Sequence, residues 1–477
     1  MTRKEKIIIW ASIIITTIII NLLLPIDYDT AWEFNCTLNI VNGKIIYKDF
    51  NSVITPLYYY LSAIPVFFIR NVIGYKIVGI ILDICLFYIT KEIIKIFNQK
   101  NTYIIFLITF LPLLLVTRAQ YNLLVTIFAL SCGIFIIKYF KTEKKYFLIL
   151  ISLFLSFIVL TKQSTGCVIT ILIFAYLIIQ LIKKRKVLNI ILLIIPFIAI
   201  IFITILILKI LNIEKEALEY TVFGVSSFSQ NNHLYMFEKF REKEQTLCNA
   251  LCFSLIILII SNVILNIKRR DKDIFILQII ALGNATVIYP IANSFHLLFA
   301  IIPFFIFFLI LIFNNFKDDM KNGKIIVALY IMIFFSLIGI HYIHIIKDEA
   351  KICNTGYIVN SYINNKEYTE ISDILTYKKE HPQYTLYSPE KSYTLTELCS
   401  KKYVGKYLNT FLYGNLGTKD PVNVIKDYEG HENTYMYIYK NNNIRNSIQT
   451  PLSAIEYIEE NYELVDTTEF YKIYKVK

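Results

Sequence analysis

Long apolar runs, each about the length of a membrane-crossing helix, dominate residues 7–343 of this chain. About 20 apolar residues span the hydrocarbon core, where every backbone polar group must be bonded within its own helix. The chain is 56% hydrophobic and only 18% charged, which excludes a soluble protein of this size. We predict about eleven membrane-spanning helices. Their approximate positions are 7–25, 74–96, 103–117, 120–139, 146–161, 165–182, 187–208, 248–267, 274–290, 296–313 and 325–343.

Clusters of lysine and arginine alternate with nearly uncharged turns between these spans, and this order predicts the orientation. With the N-terminus in the cytoplasm, the basic clusters fall in every second turn, as the positive-inside rule requires. The clusters lie at 91–100, 138–145, 183–186, 268–272 and 317–324. Topology therefore accounts for the net charge of +12, and we expect no nucleic-acid partner. The sequence predicts a multi-pass protein of the cell membrane whose C-terminus lies outside the cytoplasm.

The C-terminal part differs in composition from the rest of the chain. Residues 346–477 are polar and contain alternating stretches typical of strands, together with two stretches typical of helices. The predicted strands are 435–439 and 470–474, and the predicted helices are 366–380 and 452–461. We therefore predict a small extracytoplasmic α/β domain that follows a transmembrane domain formed by residues 1–345.

The segment after the first span concentrates polar groups at the membrane boundary. Asp27 and Asp29 directly follow a membrane helix, where a carboxylate is costly unless it is solvated or paired. From Asp29 onward the pattern predicts an amphipathic helix that ends at Asn42-Gly43, and a second apolar segment covers 57–69. Two helices that lie in the membrane interface fit this pattern.

This loop contains, in order, Asp29, Asn42-Gly43, Tyr47-Lys48-Asp49-Phe50 and Pro56-Leu57-Tyr58-Tyr59. That order resembles the first outer loop of GT-C glycosyltransferases, in particular the protein mannosyltransferase and aminoarabinose transferase branch. Thr30 stands where that family often has Glu, and Asp27 is then the candidate for the second charge. Two later turns, 161–164 and 289–296, resemble outer turns of the family, so that the resemblance covers roughly residues 7–345.

The resemblance implies an α-helical, polytopic GT-C fold and a hexosyl- or pentosyltransferase. Such an enzyme moves a sugar from a polyprenyl-phosphate donor to a glycan, lipid or protein acceptor outside the cytoplasm, with inversion at the anomeric carbon. Asp29 is the candidate general base, and Arg118 and Lys162, in otherwise uncharged outer turns, are candidates to bind the donor phosphate. A monophosphate leaving group requires no bridging metal, so we expect no metal and no cofactor. The other candidate substrate-binding residues are Asp27, Glu33, Asp49, Asn122, Gln163 and His296.

The acidic residues of the first loop also have structural alternatives. Asp27 or Asp29 could cap the helix that follows, since Asp is a favoured N-cap residue. Glu33 could be a solvated side chain one turn after Asp29. Asp49 could hold the loop together by hydrogen bonds.

The remaining candidates have structural alternatives as well. Arg118 and Lys162 could be interfacial side chains that snorkel toward water. His296 could simply begin a helix. Asp83, inside the second span, is either functional or bound to a buried partner.

Three other functions compete with sugar transfer. A transporter or flippase should show paired, Gly- or Pro-broken spans in two related halves, and the sequence has no such symmetry. A glycan polymerase also places large loops outside, but the early acidic loop argues against it. A membrane-anchored binding protein would need only one span.

Overall fold

The computed structural model describes residues 2–98, 102–113, 119–227, 242–289, 293–315, 351–390, 392–406, 416–441 and 452–477. The predicted span at 325–343 and the predicted domain boundary after residue 345 lie outside these residues. The chain divides into two compact units, which we call the helical unit and the mixed unit. The helical unit contains Met1–Asn21, Val78–Ile207 and Leu234–Ile345, and the mixed unit contains Leu22–Ile77, Leu208–His233 and Ile346–Lys477.

Helices form most of the described chain before residue 316. Seven of these described helices are long and apolar enough to cross a membrane. Their apolar stretches are Arg3–Leu23, Val72–Phe97, Tyr121–Thr142, Gln163–Lys183, Leu188–Ile210, Leu247–Ile267 and Ser294–Asn314. The helices are α1 (Arg3–Leu23), α2 (Tyr28–Val41), α3 (Leu57–Phe68), α4 (Val72–Phe97), α5 (Thr102–Leu113), α6 (Tyr121–Thr142), α7 (Tyr146–Thr161), α8 (Gln163–Lys183), α9 (Leu188–Ile210), α10 (Glu214–Leu218, followed by a π-helical turn over Glu219–Gly224), α11 (Glu242–Arg269), α12 (Lys272–Ala285) and α13 (Ser294–Asn315). Within the described residues, every predicted span from 7–25 to 296–313 overlaps one of them.

The membrane helices differ in how much of their apolar surface is packed inside the protein. In α13, 89% of the apolar stretch is buried, whereas in α9 only 6% is buried. A helix that is apolar all round and has few protein neighbours suits a lipid environment. We therefore assign α13 to the centre of the helix packing and α9 to its lipid-facing periphery.

Polar side chains join the central helices of the helical unit. Asn262 of α11 donates through Nδ2 to the backbone oxygen of Phe304 in α13, at 2.9 Å. Gln278 of α12 donates to the backbone oxygen of Asn262 at 2.8 Å and accepts from Asn266 at 3.1 Å. Since lipid tails offer no competing partners, such bonds hold apolar helices in a definite register.

Asp83 of α4 has a buried partner in the helical unit. Asn21 of α1 donates through Nδ2 to Asp83 Oδ2 at 2.7 Å, and both side chains are buried. The structure thus has the buried pair that the sequence offered as the alternative to a functional role.

The mixed unit contains the predicted small α/β domain. A hairpin joins β1 (Lys351–Thr355) to β2 (Ile358–Ile363), and a second sheet has the strand order β3-β4-β6-β5. In this sheet, β3 (Thr385–Tyr387) is parallel to β4 (Thr434–Tyr439). Strand β6 (Tyr471–Lys475) lies antiparallel to both of its neighbours, β4 and β5 (Glu463–Thr467). Its helices are α14 (Asn365–Glu380), α15 (Ser392–Cys399), α16 (Pro421–Lys426) and α17 (Leu452–Asn461). Both predicted strands and both predicted helices are confirmed.

Strand β4 lies at the centre of this sheet and is buried along its whole length. Helices α16 and α17 supply part of its cover, through an apolar core in which Ile425 and Ile455 pack with Met436 and Ile438. Strand β5 is exposed throughout, as expected for an edge strand. The tyrosines of β4 are therefore core residues with both faces of their strand covered.

The first loop of the chain is part of the mixed unit. Helix α2 ends as predicted, at Asn42 and at Gly43, whose φ is +78°. It packs against α3 and α15. Asn35 Oδ1 accepts from the backbone nitrogen of Val404 at 3.0 Å, and Asn39 Nδ2 donates to the backbone oxygen of the same residue at 2.9 Å. Helix α2 is therefore buried on all sides between Thr30 and Asn39, where the sequence predicted a one-sided amphipathic helix.

Candidate functional site

The first turn of α2 separates the roles of the two aspartates. Asp27 is the N-cap, and its Oδ1 accepts from the backbone nitrogen of Thr30 at 2.8 Å. Asp29 lies in the first turn of the helix and is exposed. A carboxylate at this position is favoured by the positive end of the helix dipole. The capping role, which was the structural alternative for either residue, belongs to Asp27.

Glu33, one turn after Asp29, is a buried anchor. Its side chain is 1% exposed, so the solvated alternative is excluded. Tyr75 of α4 donates its hydroxyl proton to Glu33 Oε2 at 2.6 Å, and the Tyr58 hydroxyl of α3 lies 2.7 Å from the Tyr75 hydroxyl. Buried polar groups need hydrogen-bond partners, and these three side chains supply them to one another. The hydrogen-bonded series Glu33, Tyr75 and Tyr58 therefore holds α2 against α3 and α4. Tyr75, which lies inside an apolar span, gave no signal in the sequence.

A second residue that the sequence did not single out stabilises the start of the loop. Lys76 is 6% exposed and donates through Nζ to the backbone oxygens of Leu22 at 2.8 Å and Leu24 at 2.9 Å. The last carbonyls of a helix have no partner within the helix, so a lysine there satisfies them. Lys76 thus fixes the chain at the end of α1, three residues before Asp27.

The turn around Asp49 is held by hydrogen bonds within the loop. Asp49 Oδ2 accepts from the backbone nitrogen of Ile45 at 2.7 Å, which is the structural role named as its alternative. Tyr47 has a φ of +72°, which is rare for a bulky residue, and its backbone nitrogen donates to Phe50 O at 2.7 Å. Its hydroxyl donates to Ile54 O at 2.9 Å. These hydrogen bonds thus hold Tyr47 in its strained backbone conformation.

In the helical unit, Lys162 is a buried cation between α7 and α8. It is 7% exposed, donates through Nζ to Asn122 Oδ1 at 3.0 Å, and lies over the ring of Tyr121 at 5.5 Å from the centroid. Burial lowers the pKa of Lys162 to about 7. A snorkelling lysine would keep its ammonium in water, so the burial argues against that alternative. The structure brings the two candidates Lys162 and Asn122 into direct contact.

Further polar groups extend from Asn122 along α6. Thr126 donates to Asn284 Oδ1 of α12 at 3.1 Å, and Asn284 Nδ2 donates to the backbone oxygen of Phe299 in α13 at 3.1 Å. Asn284 gave no signal in the sequence, because a single amide in an apolar span has no pattern. Gln163 is the first residue of α8 and is half-buried.

The remaining candidates lie at a helix start or outside the described residues. His296 is the third residue of α13, where its backbone nitrogen donates to Asn293 Oδ1 at 2.9 Å and its Nδ1 lies 2.7 Å from the same oxygen. It thus has the helix-start position that was named as its alternative. Arg118 lies outside the described residues. Among the described residues, no group of three or more His, Cys, Asp or Glu could hold a metal ion.

Comparison with known proteins relates the chain by fold. No protein-family model matches it, and no curated protein matches it in sequence. The crystal structure of ArnT from Cupriavidus metallidurans in the apo state matches over 99% of this chain and 98% of that chain, with a TM-score of 0.54 and 8% identity. The Archaeoglobus fulgidus oligosaccharyltransferase in complex with Zn and sulfate matches over 82% of this chain and 61% of that chain, with a TM-score of 0.43 and 12% identity.

At 8% identity, the likeness to ArnT concerns the fold alone. It extends over nearly the whole of both chains and therefore includes the apolar helices and the C-terminal sheet. The predicted helical membrane fold with a small C-terminal α/β domain is confirmed as an ArnT-like fold, in a multi-pass membrane protein.

Proposed function

We propose that this protein is a membrane glycosyltransferase that moves a hexose or pentose from a polyprenyl-phosphate donor to a glycan, lipid or protein acceptor. In this proposal the N-terminus is cytoplasmic, the mixed unit faces the outside, and the anomeric carbon is inverted. The observation that carries the proposal is the ArnT-like fold over 99% of the chain. Fold does not determine function, so the proposal also needs residues suited to the chemistry.

Asp29 is the proposed general base. Inverting transfer needs a carboxylate that takes a proton from the attacking acceptor group. Asp27 caps α2 and Glu33 is buried against Tyr75, whereas Asp29 is exposed at the start of the same helix. Of the three acidic residues at this end of α2, Asp29 is thus the one an acceptor can reach. The anchored backbone on both sides of it gives the carboxylate a defined position.

Lys162 is the proposed ligand of the donor phosphate, in a group with Asn122 and Gln163. The buried ammonium of Lys162 has lost its hydration, and its hydrogen bond to the Asn122 amide oxygen supplies no negative charge to replace it. A phosphate oxygen would compensate that charge, and the charge would stabilise the departing phosphate. Arg118, which lies close to Asn122 in the sequence, is proposed for the same role.

Asp29→Asn tests the proposal, with Asp27→Asn as the matched control. Both variants remove one negative charge from the start of α2, and Asn caps a helix about as well as Asp. Membranes that contain each variant would receive a labelled polyprenyl-phosphate sugar. Transfer by Asp29→Asn should fall about 10²- to 10⁴-fold with donor binding unchanged, while the control keeps most of its activity. Full transfer activity in Asp29→Asn would exclude this residue as the base, and vectorial movement of the lipid without product would favour a transporter.

A further inference from the structure

A basic cleft of about 530 Å³ opens in the mixed unit. Four lysines line it, and they come from three distant parts of the chain: the first loop, the segment after α9, and the C-terminal domain. All four are exposed. They are Lys48, Lys215, Lys406 and Lys419.

Positive charge exceeds negative charge in this cleft. Its acidic lining residues are Glu216 and Glu219. Glu219 Oε1 already accepts from the backbone nitrogen and the hydroxyl of Thr418, both at 2.6 Å. Lysines gathered in a concave surface attract an anion more strongly than isolated ones do, because their fields add. The cleft is therefore suited to an anionic ligand.

The backbone around two of the lysines is fixed. The Tyr47 ring stacks on the Tyr220 ring with centroids 6.4 Å apart, which holds the residue before Lys48 against the segment after α9. The backbone nitrogen of Asn51 donates to the backbone oxygen of Lys406 at 3.2 Å. The lysines thus project from walls that are bonded to each other, as a preformed binding site requires.

The cleft begins where a membrane helix ends. Leu211, the residue that follows α9, is part of its lining. The next segment, 214–224, packs Ala217 and Tyr220 inward and exposes three large apolar side chains. These are Leu218 at 54%, Val222 at 50% and Phe223 at 53% exposure. An apolar face on a short helical segment next to a membrane span is typical of a helix lying in the headgroup layer.

We propose that this lysine cleft binds the phosphate headgroup of an anionic membrane lipid. The apolar residues of 214–224 would contact the acyl chains, and the ammonium groups of Lys48 and Lys215 would contact the phosphate. Basic side chains at the membrane surface attract anionic headgroups in this way. The inference rests on the cleft and on its lining residue Leu211, which directly follows α9 in the chain, and it holds whether or not the protein transfers a sugar.

The test titrates fluorescent phosphatidylglycerol into the purified full-length protein in neutral detergent. Lys48→Ala/Lys215→Ala is compared with Lys379→Ala/Lys477→Ala, which removes the same charge from exposed lysines elsewhere in the mixed unit. We expect the variant Lys48→Ala/Lys215→Ala to bind the lipid at least about tenfold more weakly than the wild type. The variant Lys379→Ala/Lys477→Ala should bind it as the wild type does. Equal affinity in the two variants overturns the proposal.

Competition identifies the source of the phosphate. Unlabelled phosphatidylglycerol should displace the probe, whereas phosphatidylcholine and glycerol phosphate should not at the same concentration. Displacement by glycerol phosphate as effective as that by phosphatidylglycerol would show a site for soluble phosphate and overturn the lipid assignment. Equal displacement by phosphatidylcholine would show that the lysines do not select charge, and it would overturn the assignment too.

Discussion

Donor binding should weaken as the pH rises through about 7, because the proposed phosphate ligand loses its charge there. Burial lowers the pKa of Lys162 to about 7. A sugar phosphodiester has no proton to exchange near neutral pH, so the protein alone titrates. The charged fraction of such a lysine falls from about one half at pH 7 to roughly one tenth at pH 8. We therefore expect the dissociation constant of the donor to rise about tenfold per pH unit above that pKa.

The same lowered pKa has the opposite effect on stability. A lysine in the unfolded chain keeps its proton up to about pH 10.4, whereas Lys162 in the folded protein loses it near pH 7. Between these values the unfolded state binds more protons, so this group makes the folded state more stable as the pH rises. The increment is at most about 1.4 kcal/mol per pH unit. The difference in thermal stability between the wild type and Lys162→Met should therefore shift in favour of the wild type over this window.

Titration of a fluorescent donor analogue at several pH values measures the effect, and two substitutions define its origin. Lys162→Arg keeps its charge throughout and should bind the donor with little dependence on pH. Lys162→Met keeps the length of the side chain without charge, and it should bind weakly at every pH. A wild-type dissociation constant that stays level from about pH 6 to 9 would refute the reasoning. So would donor binding by Lys162→Met that equals the wild type at low pH.

Two further predictions concern the mixed unit. Glu33→Ala should lower the free energy of unfolding by about 1–3 kcal/mol, because the buried Tyr75 hydroxyl loses its acceptor. Glu33→Gln keeps an oxygen at this position and should lower it less. Equal losses of the two variants in thermal denaturation would contradict this prediction. Gly356→Ala should lower the free energy of unfolding by several kcal/mol, since the φ of Gly356 is +62° and an added Cβ would lie 2.2 Å from Leu398 O. Gly430 has a φ of +78° and open space around it, so Gly430→Ala should lower the free energy of unfolding by only about 1 kcal/mol. A similar loss in the two glycine variants would refute the steric argument.

Patterns local in sequence predicted the apolar helices, and in the C-terminal domain they predicted α14, α17, β4 and β6 but none of the other helices and strands. Each apolar run needs only its own length and its flanking charges to be recognised, and β4 and β6 needed only their alternation. The end of α2 followed from Asn42-Gly43, since glycine adopts the left-handed conformation found there. The likeness of the fold to that of ArnT followed from the resemblance of one loop.

Features that depend on contacts between distant residues could not be predicted. The burial of α2 on all sides depends on Val404, which bonds Asn39 at a separation of 365 residues. Tyr75 became recognisable as a partner of Glu33 only when α4 was placed beside α2. Lys162 and Asn122 were both candidates, yet their spacing of 40 residues gave no reason to pair them. Hydrogen-bonded pairs of this kind have no period, so one sequence does not reveal them.

The bonds between α2 and Val404 set an order of events during biosynthesis. Asn35 and Asn39 emerge from the ribosome long before their partner, which follows more than 350 residues later. Forming such distant contacts is slow, since a long chain must close before they compensate its entropy. The segment that contains Asp29 must therefore remain incompletely packed until Val404 has been made. A chain that stops before Val404 should contain the described membrane helices and still lack an ordered first loop.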